Sequence, residues 1–107
     1  MLHKHLVNYA IADGDKAFDC VQVKEPNVVI QLDYQDIVAT DVTVELEQAV
    51  TAQSKFDAVE SSLFTLYPGK TSHSWNLSGF AIGLFLRVVV RKGTAVAGTI
   101  NFIHILY

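Results

Sequence analysis

The chain reads as a succession of short segments in which apolar and polar positions alternate. Between Leu2 and Ile11, the residues His5, Val7, Tyr9 and Ile11 alternate with Lys4 and Asn8, which predicts a first strand. Asp13-Gly14-Asp15-Lys16 then supplies turn chemistry, because glycine tolerates positive φ and Asp side chains bond nearby backbone N–H groups. Phe18 to Lys24 predicts a second strand with weaker alternation, ended by Glu25-Pro26-Asn27, where proline has no N–H to give to a ladder. Val28, Ile30, Leu32 and Tyr34 follow at period two, opposite Val29, Gln31 and Asp33. After Gln35-Asp36 the pattern resumes, with Val42, Val44 and Leu46 against Thr43, Glu45 and Glu47, as in a half-buried antiparallel strand.

The middle of the chain supports two readings. Phe56, Val59, Leu63 and Phe64 have helical spacing, so a short helix over 57–66 is one. Two adjacent serines, Thr65 and the Tyr67-Pro68-Gly69 turn favour the other, two short strands near Phe56–Glu60 and Leu63–Tyr67. A further short strand at Ser74–Leu77 carries the single tryptophan.

The last quarter is two apolar runs, Leu84–Val90 and Val96–Tyr107, joined by Arg91-Lys92-Gly93-Thr94-Ala95, a connection that predicts a hairpin. Leu84, Leu86, Val88 and Val90 share one face; Phe85, Arg87, Val89 and Arg91 share the other. In the second run Ile100, Phe102 and Leu106 are expected beside His104, with Ile103, Ile105 and Tyr107 opposite. Both faces of these runs look at least half covered, which suggests a protein partner. Taken together, about eight short strands with turn signals between them predict an all-β fold, a single antiparallel β-sandwich or jelly-roll-like domain over residues 1–107.

Composition narrows the function. A chain of 107 residues, 50% hydrophobic and 18% charged, is one domain with enough apolar material for a core. A net charge of -3 with scattered basic residues argues against nucleic acid as a partner. The longest apolar run is interrupted by Arg87 and is too short to cross a bilayer as a helix, and MLHKHLVNYA lacks the apolar core of a signal peptide, so no membrane partner and manufacture inside the cell are expected. Cys20 is alone and sits in an apolar segment, where it reads as a small core residue.

No catalytic constellation emerges. His3 and His5 share a strand face but lack further ligands in sequence reach, and Asp13-Gly14-Asp15 lacks the later ligands of a calcium loop, so neither a metal nor a cofactor is expected. Ser72-His73-Ser74 sets hydroxyls beside an imidazole, but sequence neighbours on a strand point to opposite faces. Glu45 and Glu47 read as solvated carboxylates, and His104 as a hydrogen-bonded core or interface histidine. The chain is therefore expected not to be an enzyme. A sugar site is the other possibility weighed, with Trp75 and Tyr67 stacking on sugar rings.

Several of these segments also resemble a known group of proteins. They are the strand Asp41–Val50 (DVTVELEQAV), Ser54–Val59 (SKFDAV), Ser74-Trp75-Asn76-Leu77, Phe85-Leu86-Arg87-Val88, and Lys92–Ile100 (KGTAVAGTI). Over roughly residues 41–107 this order resembles the small β-sandwich auxiliary or decoration proteins on the heads of tailed bacteriophages. The resemblance implies a non-enzymatic virion protein, made in the host cytoplasm and located on the capsid surface. It would bind the major capsid protein, copies of itself, or both, often as a trimer, and would stabilise the shell. Leu2, Leu6, Ile103, Ile105 and Tyr107 are the expected contact residues. The alternative function is a carbohydrate- or receptor-binding module of a phage fibre or tail.

Overall fold

The alternation at Val28–Gln35 becomes an eight-residue strand whose even-numbered residues Val28, Ile30, Leu32 and Tyr34 are all buried. The computed structural model describes residues 2–107, with Val7 described by its backbone alone. Its strands are β1 (His3–Ala10), β2 (Lys16–Ala17), β3 (Val21–Gln22), β4 (Val28–Gln35), β5 (Thr43–Ala49), β6 (Asp57–Ala58), β7 (Phe64–Thr65), β8 (Ser72–Leu77), β9 (Phe85–Arg91) and β10 (Thr99–Leu106). A 3-10 turn at Ile11–Asp13 follows β1.

The strands form two antiparallel sheets. One is four-stranded in the order β1-β10-β4-β8; the other is six-stranded in the order β2-β9-β5-β6, with β3 also on β9 and β7 also on β5. β2 and β3 run along the same flank of β9, at Val90/Val89 and Leu86/Phe85, so they are one interrupted strand. β6 and β7 likewise share β5. Counted in this way, the chain has two sheets of four strand positions. It crosses between the sheets at almost every connection. The result is a β-sandwich of jelly-roll type.

The 57–66 segment is strand and turn, not helix. The expected hairpin between the last two apolar runs does not form: β9 lies in the six-stranded sheet and β10 at the centre of the four-stranded one. The connection between them is tied to the end of the sandwich. Thr94 donates its backbone N–H and its hydroxyl to the Asp41 carboxylate at 2.9 Å each, and Ile11 N–H donates to Gly98 O at 3.0 Å. Gly93, at φ +59°, lies so close to Asp41 that a Cβ there would stand 2.6 Å from its carbonyl oxygen.

A register shift between Ile100 and Phe102, opposite Tyr34 and Asp33, corrects the expected faces of β10. The extra residue, Asn101, moves Ile100 to the inner face with Ile103 and Ile105, leaving Phe102, His104 and Leu106 outside. One core then joins Ile100, Ile103 and Ile105 to Val28, Ile30 and Leu32 of β4, and to Leu86, Val88 and Val90 of β9. Cys20 is half-buried, outside any strand, rather than a core residue.

Candidate functional site

The expected contact residues do not make one surface. Ile103 and Ile105 are 1% and 0% exposed because β10 is a central strand whose inner face packs on the second sheet, so neither is available to a partner. Leu6 and Tyr107 are half-buried against the core, and Leu2 is exposed. Trp75, a sugar-stacking candidate only in the alternative reading, points inward at 7% exposure and spends its indole N–H on Ser62 O at 2.9 Å. Tyr67 is exposed beside Phe64, edge to face at 5.8 Å, and Phe64 stacks flat on His73 at 3.6 Å. Burial and, secondarily, the nearby Lys70 charge push the His73 imidazole's pKa down.

The two outer faces of the sandwich differ in what covers them. On the six-stranded sheet, Arg87 donates from Nε and Nη2 to Glu47 Oε1 at 2.9 and 2.7 Å, while the Phe56 ring lies 4.0 Å from its guanidinium carbon. Arg91 pairs with Glu45 at 3.0 Å and reaches Glu47 Oε2 at 3.5 Å. Antiparallel pairing of β5 with β9 sets Glu47 directly opposite Arg87, so the carboxylates expected to be solvated are ion-paired and partly buried instead. The cover that looked like a sign of a partner is supplied by the chain's own side chains.

On the four-stranded sheet the outer face is open. His3 and His5 of β1 and Phe102 and His104 of β10 meet there because His5 lies opposite His104 in the ladder. His5 stacks on His104 with ring centroids 4.5 Å apart and on Phe102 at 5.1 Å. His3 Nε2 stands 3.2 Å from His104 Nδ1. His3, Val29, Gln31, His104 and Leu106 border a shallow depression of about 240 Å³. The neighbouring rows are uncharged or weakly charged: Gln31 and Asp33 on β4, bonded to each other, and Ser72, Ser74 and Asn76 on β8. The three imidazoles stack on one another, and among the described residues no group of three ligand-type side chains is placed to hold a metal ion.

A second cleft of about 250 Å³ opens beside the β1 edge, lined by Leu6, Asn8, Tyr9, Lys16, Phe18 and Asp19. Its aromatic floor is the edge-to-face pair Tyr9–Phe18 at 5.6 Å, and the Tyr9 hydroxyl donates to Gly14 O. Burial raises the pKa of that phenol, with Asp13 and Asp15 adding to the shift.

The histidine cluster was half legible in the sequence. Period two put His3 and His5 on one face, and Phe102 and His104 on one face, but only the β1–β10 pairing unites the two sets. The ion-paired network was missed because its partners are 40 to 46 positions apart. Compared with known proteins, the chain matches no protein-family model, no curated sequence and no solved structure.

Proposed function

We propose that this chain is a non-enzymatic auxiliary (decoration) protein of a virion, which attaches to the major capsid protein or to its own copies through the outer face of its four-stranded sheet. The observation that carries the choice of face is the contrast between the two outer faces. One is closed over by Arg87, Arg91, Glu45, Glu47 and Phe56; the other leaves Phe102 at 39% exposure beside exposed His5 and half-buried His104. A flat, mostly uncharged aromatic surface suits burial against another protein, and about 800 Å² on each partner suffices for lasting attachment. Support for the virion setting comes from the sequence resemblance and from the jelly-roll topology, an architecture that recurs in viral capsid and lectin domains. The mechanism is adhesive: apolar and aromatic surface buried across capsid junctions resists their opening.

The carbohydrate-binding alternative is weakened by the burial of Trp75, which leaves Tyr67 as its exposed ring.

The test is co-sedimentation of the purified chain with shells of its virus that lack it, alongside light scattering of the chain alone. Saturation at a fixed copy number per capsomer, lost in Phe102→Glu, is the expected result. A chain that stays in the supernatant overturns the proposal.

A further inference from the structure

The two edge strands that border one flank of the sandwich are both irregular where they line the same cleft. β1 is the edge of the four-stranded sheet, and β2 with β3 is the edge of the other. The β1–β10 ladder pairs Val7 with Phe102 and Tyr9 with Ile100 but passes over Asn8, which stands at φ +46°, a conformation asparagine tolerates better than most residues. On the other side, β2 ends at Ala17 and β3 begins at Val21. Phe18 N–H still donates to Val88 O at 2.9 Å, so the backbone stays against β9 while Asp19 stands exposed. Breaks of this kind concentrate where a strand re-aims side chains toward a ligand.

The cleft between these two breaks holds about 250 Å³. Its floor is apolar: Leu6, Tyr9 and Phe18 pack against the core, the two rings meet edge to face at 5.6 Å, and the Tyr9 hydroxyl is pinned on Gly14 O. Its rim is polar, with Asn8, Lys16 and Asp19 all exposed and Lys16 Nζ 5.9 Å from the centre of the Phe18 ring. Among the described residues the Asn8 and Asp19 side chains have no hydrogen-bond or ion-pair partner, and Lys16 has that ring contact alone. The three rim groups differ in kind: the carboxylate accepts, the ammonium donates and the amide does both. A simple anion would meet Asp19, a simple cation would meet Lys16, and an alkyl chain would leave the whole rim unmatched. A ring with an apolar C–H face and hydroxyls at its edge answers every part, since each hydroxyl both donates and accepts. The volume lies below the roughly 300–1,000 Å³ of sites for drug-sized ligands, which leaves room for one such ring.

We propose that this cleft binds one pyranose residue of a neutral saccharide, with Phe18 and Tyr9 against its C–H face and Asn8, Lys16 and Asp19 on its hydroxyls. Trp75 and Tyr67 take no part. The site lies on the flank and shares no residue with the histidines and Phe102 of the outer face, so a chain docked through that face leaves the cleft open. Sugar recognition is thus a second activity, which does not rest on docking.

The test uses the full chain alone, without shells. Amide NMR spectra are followed while the methyl glycosides of glucose, galactose, mannose and N-acetylglucosamine are each added to about 50 mM, well above the millimolar dissociation constant expected for so small a ligand. Glycerol is the polyol control. The expected result is a saturable shift of the Asn8, Tyr9, Phe18 and Asp19 amides with at least one glycoside. Asp19→Ala and Lys16→Ala, both at exposed positions, should each weaken that binding about tenfold with the rest of the spectrum unchanged, whereas Tyr67→Ala should bind as the parent does. No shift with any of the four glycosides overturns the proposal. So do equal shifts with glycerol, shifts centred on Tyr67, or binding that survives Asp19→Ala undiminished.

Discussion

Trp75 donates its indole N–H to the carbonyl of Ser62 at 2.9 Å, and the Ser62 hydroxyl in turn bonds both the N–H and the carbonyl of Leu46 at 3.1 and 3.2 Å. Ser62 is a buried polar residue in the connection between β6 and β7, and it links the edge strand of one sheet to a central strand of the other. Replacing it by alanine leaves the Leu46 amide without its partner. Ser62→Ala should cost about 1–3 kcal/mol in urea unfolding, and Trp75→Phe a similar amount. In the parent chain Trp75 fluorescence should resist quenching by acrylamide; free quenching would place the ring outside and revive a glycan role.

The Arg87–Glu47 pair should be more than a surface ornament. Exposed ion pairs are worth about 0–1 kcal/mol, but here the guanidinium is forked onto one carboxylate oxygen and covered by Phe56. Arg87→Lys loses the fork and the flat stack while keeping the charge. We expect Arg87→Lys to lower stability by about 1 kcal/mol and to leave docking unchanged, since this face is the closed one. Loss of docking with stability unchanged would reverse the assignment of the two faces.

The crossover from β9 to β10 depends on Gly93. Alanine there combines a positive φ with a Cβ 2.6 Å from the Asp41 backbone oxygen, and should cost at least about 2 kcal/mol by thermal or urea unfolding. The Thr94 bonds hold the Asp41 carboxyl below its usual pKa range. A carboxylate whose folded pKa is lowered contributes stability above its unfolded value and loses it as pH falls through the folded one. The parent chain should therefore lose stability below about pH 4 in a component that Asp41→Asn removes.

His73 acts in the same direction at higher pH. Burial against Phe64, with Lys70 nearby, lowers its folded pKa, so the unfolded chain takes up the proton first. Stability contributed by the neutral ring is present above the unfolded value of about 6.5 and falls as pH drops from there toward the folded one. Urea midpoints measured from pH 7.5 to 5 should fall less steeply in His73→Gln than in the parent; parallel slopes would show that the ring is solvated.

β10 pairs with both β1 and β4, and Ile105 is fully buried between the sheets. Ile105→Ala should cost about 2–5 kcal/mol, and truncation after Ile100 should abolish cooperative unfolding. A truncated chain that still folds would mean that β10 is not the centre of its sheet.

Period-two alternation was enough to define β4 and β5 and their inward residues, because a half-buried antiparallel strand writes its burial directly into sequence. The same local signal yielded the all-β class and a strand count near eight, together with the apolar face of Leu86, Val88 and Val90. It was silent on which strands pair. Adjacency in the chain suggested a β9–β10 hairpin, whereas contacts between Gly93 and Asp41 and between Ile11 and Gly98 carry the chain to the opposite sheet. One extra residue at Asn101 reversed the face of Ile100, since a single insertion shifts a period of two by half a cycle. Only the tertiary structure decided that Ile103 and Ile105 are core, that Trp75 turns inward, and that His3, His5 and His104 meet. Each of those outcomes depends on strands far apart in sequence lying about 5 Å apart in a ladder, and no local pattern encodes that distance.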